Sequence, residues 1–489
     1  MTRNQVQPIL HSLVRGSVAG LVAALLASAL LDSVDGGAFG LVDSRLNAYV
    51  FMILGGAVMG SGFGLLVRRQ RHGFGENLFW GMSYGVFWWV LGQLTILPLL
   101  LGGSFAWDLA SAQSNLPGLI GLLVFGGLTG LFLALLNLGR AVASKPSLGG
   151  LVRGVLVGLA AGRVLGGLLD AQDHLVPMAA MMEAMPEQDQ QLAAWIIILF
   201  IGGLAGLIYA TLYPKPDEGA GVSAIRGVAY GFVWWSLGAI TLLPLMSGQA
   251  IGWSLEQVQV EFPTLPGFML FGALLTILYR WVEGFVATFL SSEVNEPQSE
   301  GIAVQFIRAL GRGAAAGVVG GLVFTAVMVR IGFLPRVATL IGAGSAQAGL
   351  LAHFSIAVLI GMSYGLLFRR QSFDLASGLG WGMAYGFLWW ILGALTLMPI
   401  FLGGRPQWSA LAAANSFPAL VGHLGYGASL GVVFYLLEAR DLPWWLSRSQ
   451  SEAKRIASRQ ELILSSAPAL WVLVVMIALI LPVLLGSNL

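Results

Sequence analysis

The 489-residue chain contains no cysteine, which excludes disulfides, thiolate nucleophiles and cysteine-ligated metal or iron–sulfur centres. Charge is scarce as well: charged residues make up 10% of the sequence, against about 25% in soluble domains. The net charge of +2 comes from basic residues scattered between apolar runs, so nucleic acid is not an expected partner. The glycines form no P-loop and no dinucleotide fingerprint, and neither G-x-S-x-G nor H-E-x-x-H occurs. Polar stretches are all shorter than about 35 residues, too short to fold as an independent domain. These gaps argue against an enzyme.

Apolar residues are abundant, at 57% of the chain with a mean hydropathy of +0.82. Runs of about 17 to 25 apolar residues recur along the whole length, each long enough to cross a hydrocarbon core as a helix. About thirteen such runs can be read, which predicts an all-α polytopic membrane protein with the lipid bilayer as its partner. Other membrane subunits are further candidate partners. The first run, after "MTRNQVQPILHSLVRG", has the form of a secretory signal. Its "LVRG" opening returns inside the chain at Leu151 and, as "LGRG", at Leu310, so it is read as a retained helix.

The chain repeats itself. "GMSYGVFWWVLGQLTILP" from Gly81, "GVAYGFVWWSLGAITLLP" from Gly227 and "GMAYGFLWWILGALTLMP" from Gly382 are near copies. Each is preceded by an R-G-x-x-x-G opening (Arg15, Arg153, Arg312) and a G-x-x-x-G step (Gly60/Gly64, Gly202/Gly206, Gly361/Gly365). Each is followed by a Trp nine residues beyond the motif proline (Trp107, Trp253, Trp408) and by a proline-headed run from Pro117, Pro266 or Pro418. The expected division is three four-helix repeat units, 1–145, 146–300 and 301–440, then a basic interfacial segment and a last membrane helix in 441–489. Four crossings return the chain to its starting side, so the units are expected to be parallel. Most of the 25 Lys and Arg fall on one side, which by the positive-inside rule makes the N-terminus cytoplasmic and the C-terminus external in a cell membrane.

On a helical wheel at about 100° per residue, the motif residues common to all copies share one face: Tyr84, Trp88 and Thr95, with Tyr230, Trp234, Thr241 and Tyr385, Trp389, Thr396. This face is expected against protein, and the variable face against lipid or less demanding neighbours. Gly81, Gly85 and Gly92 are expected to form a groove for close helix approach. The closing proline frees the carbonyl four residues earlier, Leu94 in the first copy, and should kink the helix. A meeting of the three Trp-rich faces on a pseudo-threefold axis is one possible arrangement.

Few polar residues interrupt the apolar runs, and each needs an account. Arg163 falls near the membrane centre, either as a fixed site for an anion or headgroup or bonded to carbonyls of a kinked neighbour. Gln93 replaces Ala239 and Ala394 of the other copies and is expected to make one interhelical hydrogen bond. His353 and His423 fall at similar depth. They could be separately satisfied, could exchange protons as a pair, or could hold a haem or metal; no cofactor is expected. Met178, Met181, Met182 and Met185 form a helical stripe beside His174, readable as an apolar face or, less readily, a copper site.

The stretches "HFSIAVLIGMSYG", "WGMAYGFLWW" and "FPALVGHLGYG" of the third unit resemble the YagU-like four-helix inner-membrane proteins. That resemblance implies a four-helix membrane fold in which His353 and His423 are the family's histidines. Met52 and Leu122, then Ala194 and Phe271, stand at the matching places of the other units. The function expected overall is a non-catalytic structural or accessory membrane subunit. The alternatives are a permease or channel with a path between the units, and a histidine-ligated haem or metal protein.

Overall fold

The computed structural model describes residues 9–31, 45–68, 73–137, 146–175, 187–214, 219–246, 248, 251–290, 302–368, 371, 374–440, 480 and 483. The methionine stripe, the basic segment after residue 440 and most of the last apolar run lie outside them. Among the described residues there are helices and no strand. Eleven helices are long and apolar enough to cross a membrane, and another, Arg45–Val67, contributes the shorter apolar stretch Met52–Val67. The chain is an all-α polytopic membrane protein.

The membrane-scale helices are α1 (Ile9–Leu31), α2 (Arg45–Val67), α3 (Phe74–Trp88), α4 (Leu116–Leu136), α5 (Leu148–Asp170), α6 (Glu187–Leu212), α7 (Ala220–Trp234), α8 (Leu265–Leu290), α9 (Ile302–Arg330), α10 (Ala346–Phe368), α11 (Leu375–Trp389) and α12 (Phe417–Arg440). Packing sorts them into quartets. Within α1–α4, α5–α8 and α9–α12 the first helix packs on the second, the third on the fourth, and the first on the fourth.

Glycine sets both close pairings, because in lipid helix association depends on backbones approaching rather than on expelling water. A Cβ at Gly16, Gly158 or Gly313 would strike the backbone oxygen of Gly60, Gly202 or Gly361 on the second helix. A Cβ at Gly81, Gly227 or Gly382 would strike that of Gly126, Gly272 or Gly427 on the fourth. Gly92 does not belong to this groove. Its nearest neighbour is the ring of Trp88 one turn earlier in its own helix, as Gly238 faces Trp234 and Gly393 faces Trp389. The third motif glycine lies beside an indole of its own helix, not against a neighbouring helix.

The opening arginine ties first helix to fourth. Arg15 Nη1 donates to Asn137 Oδ1 at 2.5 Å, Arg153 lies 3.5 Å from Glu283, and Arg312 donates to Glu438 at 2.7 Å. The second quartet sits between the others. Tyr213, just beyond α6, stacks on Phe79 of α3, and Phe368 at the end of α10 covers Gly221 of α7. On the opposite side Arg405 pairs with Asp173 at 2.6 Å, and Gln172 donates to the carbonyl of Pro406.

Candidate functional site

The motif is a set of interlocking hydrogen bonds, formed the same way in each quartet. After the first motif Trp the helix loosens into an eight-residue π-helical segment: Trp89–Ile96, Trp235–Leu242 and Trp390–Leu397. In such a segment the backbone bonds run to the fifth residue back. The threonine hydroxyl copies that reach. Thr95 donates to the carbonyl of Val90 at 2.7 Å, Thr241 to Ser236 at 2.6 Å and Thr396 to Ile391 at 2.7 Å.

The same hydroxyl is also an acceptor. The indole of the Trp nine residues after the proline donates to it: Trp107 to Thr95 at 3.1 Å, Trp253 to Thr241 at 2.8 Å and Trp408 to Thr396 at 3.0 Å. That Trp is held by the chain on either side of it. The residue after it caps a short helix, Asp108, Ser254 and Ser409 each accepting from a backbone N–H three residues on. Before it, a loop N–H returns to the carbonyl freed by the proline. Ala106 donates to Leu94 at 2.9 Å, Gly252 to Ile240 at 3.2 Å and Gln407 to Leu395 at 2.7 Å. The deficit created by proline is thus repaired by the loop, which lets the helix end without an orphaned acceptor.

The remaining shared aromatics pin the motif helix to its neighbours. Tyr84, Tyr230 and Tyr385 donate to the carbonyls of Met59, Ala205 and Ile360 on the second helix. The second Trp reaches the start of the fourth helix: Trp89 to the carbonyl of Asn115, Trp235 to Thr264 Oγ1, Trp390 to Ser416 Oγ. Trp89, Trp235 and Trp390 are buried, whereas Trp88, Trp234 and Trp389 are half-buried and meet the motif tyrosines edge-on. A buried indole needs such a partner.

The variable face does not simply meet lipid. In the second quartet every residue from Gly221 to Val233 is buried. Ser236 and Leu237 face α3 and α4 across a space of about 40 Å³ that Leu78, Met82, Ile120 and Leu123 also line. The junction thus takes up a variable position, Ser236, together with a shared one, Leu237.

The isolated polar residues have plainer surroundings than the sequence suggests. Arg163 is exposed, stacks on the Trp195 ring at 4.2 Å and lies along Gly167, one turn nearer the end of α5. It therefore lies over an aromatic face of the neighbouring helix, with its guanidinium directed along α5. The hydrogen bond expected of Gln93 is not formed at Oε1, which is buried without a partner beside Gly118.

His353 and His423 both pack edge-on against Phe324, with ring centroids 5.5 Å and 4.6 Å from it. His353 Nε2 lies 3.0 Å from the carbonyl of Gly321, and His423 Nδ1 lies 2.7 Å from that of Ala419. A carbonyl only accepts, so each of these nitrogens carries a proton and donates. Among the described residues no group of three or more His, Asp or Glu side chains is placed to hold a metal.

Sequence reading missed the π-helical segments, the Arg15–Asn137 type of clasp and the caps after the loop Trp. The recurring Trp-Asp or Trp-Ser pair was the available signal for the last of these. Comparison with protein-family models, with curated protein sequences and with solved structures gives no match.

Proposed function

We propose that the protein is a non-catalytic structural or accessory membrane subunit, built from three parallel copies of one four-helix unit. The observation that carries this reading is where the shared polar groups are directed. The motif Tyr, second Trp, Thr and loop Trp each bond to protein, in all three copies. Residues repeated so closely are fasteners, and their hydrogen-bonding capacity is spent inside the fold. The parallel arrangement is supported by the contacts between quartets, in which ends of second helices meet starts of third helices and loop meets loop. The likeness of the third quartet to YagU-like proteins belongs to the same proposal, with His353 and His423 as packing residues around Phe324.

The orientation within a cell membrane follows from the basic connections. Because the chain lacks cysteine, single cysteines report it directly. An impermeant maleimide applied to intact cells should label Ser104→Cys and Gly344→Cys but not Ser147→Cys. The functional reading is tested in proteoliposomes. Saturable flux of an ion or amphiphile that Trp253→Ala abolishes would replace it with a permease; flux no greater than that of protein-free vesicles supports it.

A further inference from the structure

The contact between neighbouring quartets is directional, and among the described residues one half of it stays open on the first quartet and the other half on the third. In the first junction the π-helical segment of the second quartet, through Ser236 and Leu237, faces the outer side of α3 and α4 at Leu78, Met82 and Ile120. In the second junction Trp408 of the third quartet packs over Gly267 of α8 and beside Leu165. The second quartet thus presents its π-helical segment to the third and fourth helices of the first, and the third quartet presents its loop Trp to the fourth helix of the second. This is a heterologous contact, whose two halves differ.

Among the described residues nothing covers the motif side of the first quartet. Trp107 is 65% exposed where Trp253 and Trp408 are 0% exposed. Phe87 and Val90 are exposed where Val233, Ser236, Leu388 and Ile391 are buried. The receiving side of the third quartet is uncovered in turn. Val421 is 48% exposed where Ile120 is 0% exposed, and Leu379 and Met383 are exposed where Leu78 and Met82 are buried. The two uncovered surfaces correspond, position by position, to the two unlike halves of the contact between the first and second quartets.

We infer that the protein associates with a second copy of itself head to tail, the Trp107 side of one copy seating on the Leu379, Met383 and Val421 side of another. The inference rests on the three-unit reading above, not on the absence of transport. The fastener is already assembled at the open end: Trp107 bonds Thr95, and the loop returns to Leu94, as in the buried copies. The polar clasp of the second junction is not available there. Ser104 stands six residues after Pro98 as Arg405 does after Pro399, and Gly332 stands twenty after Arg312 as Asp173 does after Arg153. The association between copies is therefore weaker than the contacts within one copy, and reversible.

Single cysteines in the cysteine-free chain test this. Val90→Cys in one tagged copy and Met383→Cys in another, co-reconstituted at low density and treated with a short bis-maleimide, should give a mixed dimer at least ten-fold above the Leu54→Cys with Leu54→Cys background. Val90→Cys should not cross-link to itself. A mixed yield no higher than background, or dominant Val90–Val90 dimers, overturns the inference. Met82→Cys with Ser236→Cys in one chain is the internal reference. If that pair fails to link, the junction between the first two quartets is wrong and the three-unit reading falls; if it links while the mixed dimer does not form, only the association falls.

Discussion

Trp253 Nε1 donates to Thr241 Oγ1 at 2.8 Å, with both side chains buried, and the same hydroxyl donates onward to the carbonyl of Ser236. One hydroxyl therefore joins a loop to a π-helical turn. In the first quartet the corresponding pair, Trp107 and Thr95, is open to its surroundings.

This difference makes the threonines unequal. Thr241→Val removes an acceptor and a donor and leaves a buried indole N–H unpaired, which should cost about 1–3 kcal/mol. Thr95→Val, where the indole can find another partner, should cost less than about 1 kcal/mol. Thermal unfolding in detergent compares the two, and Thr241→Ser should recover most of the loss.

The motif glycines should also separate. Gly81→Ala places a methyl against the backbone of Gly126, which cannot yield without parting α3 from α4. Loss of the monodisperse peak in size-exclusion chromatography is expected. Gly92→Ala meets only the Trp88 ring at 3.4 Å, an ordinary contact, and should leave that peak and the unfolding temperature nearly unchanged.

Arg312 and Glu438 form a clasp in which the arginine side chain is 11% and the glutamate 36% exposed. Arg312→Ala should destabilise by about 1–3 kcal/mol, as expected for a hydrogen bond to a charged group with partial solvent access. The exchange Arg312→Glu with Glu438→Arg should restore part of it in a double-mutant cycle on unfolding midpoints, whereas either change alone places like charges together.

Asp108 supplies a pH-dependent contact outside the membrane. Hydrogen bonds from the Ser111 hydroxyl and backbone N–H hold its carboxyl below the ordinary value of 3.8. A folded-state value below the unfolded one means the cap is fully formed above 3.8 and is lost as pH falls through the lower, folded value. Amide exchange at Ser111, corrected for its intrinsic pH dependence, should lose protection there. In Asp108→Asn it should be pH-independent across that range.

Much of the architecture was legible because it depends on composition and repetition. Runs of apolar residues mark the helices, and Gly60, Gly202 and Gly361 mark where second helices meet first ones. The proline's freed carbonyl was foreseeable; that Ala106 would return to it was not, since the pairing is between residues twelve apart across a loop. A wheel drawn at α-helical pitch also misplaced the end of the motif. From Trp89 onward the turn is wider, so Gly92 falls under Trp88 instead of in the groove with Gly81. The surroundings of Arg163 and Gln93 were illegible for a different reason. Trp195 and Gly118 lie on other helices, and no pattern within one segment names a partner on another.

The widened turn constrains how the motif can change. It arises when a helix takes in one residue more than its regular winding accommodates, and the loop of each quartet is cut to the length that reaches it. All three copies hold the widening at the same place, beginning at the second Trp of the pair. On the three-unit reading, the extra residue, its proline and the returning indole would have to be copied or lost together, since the loop is cut to the length that reaches the widened turn.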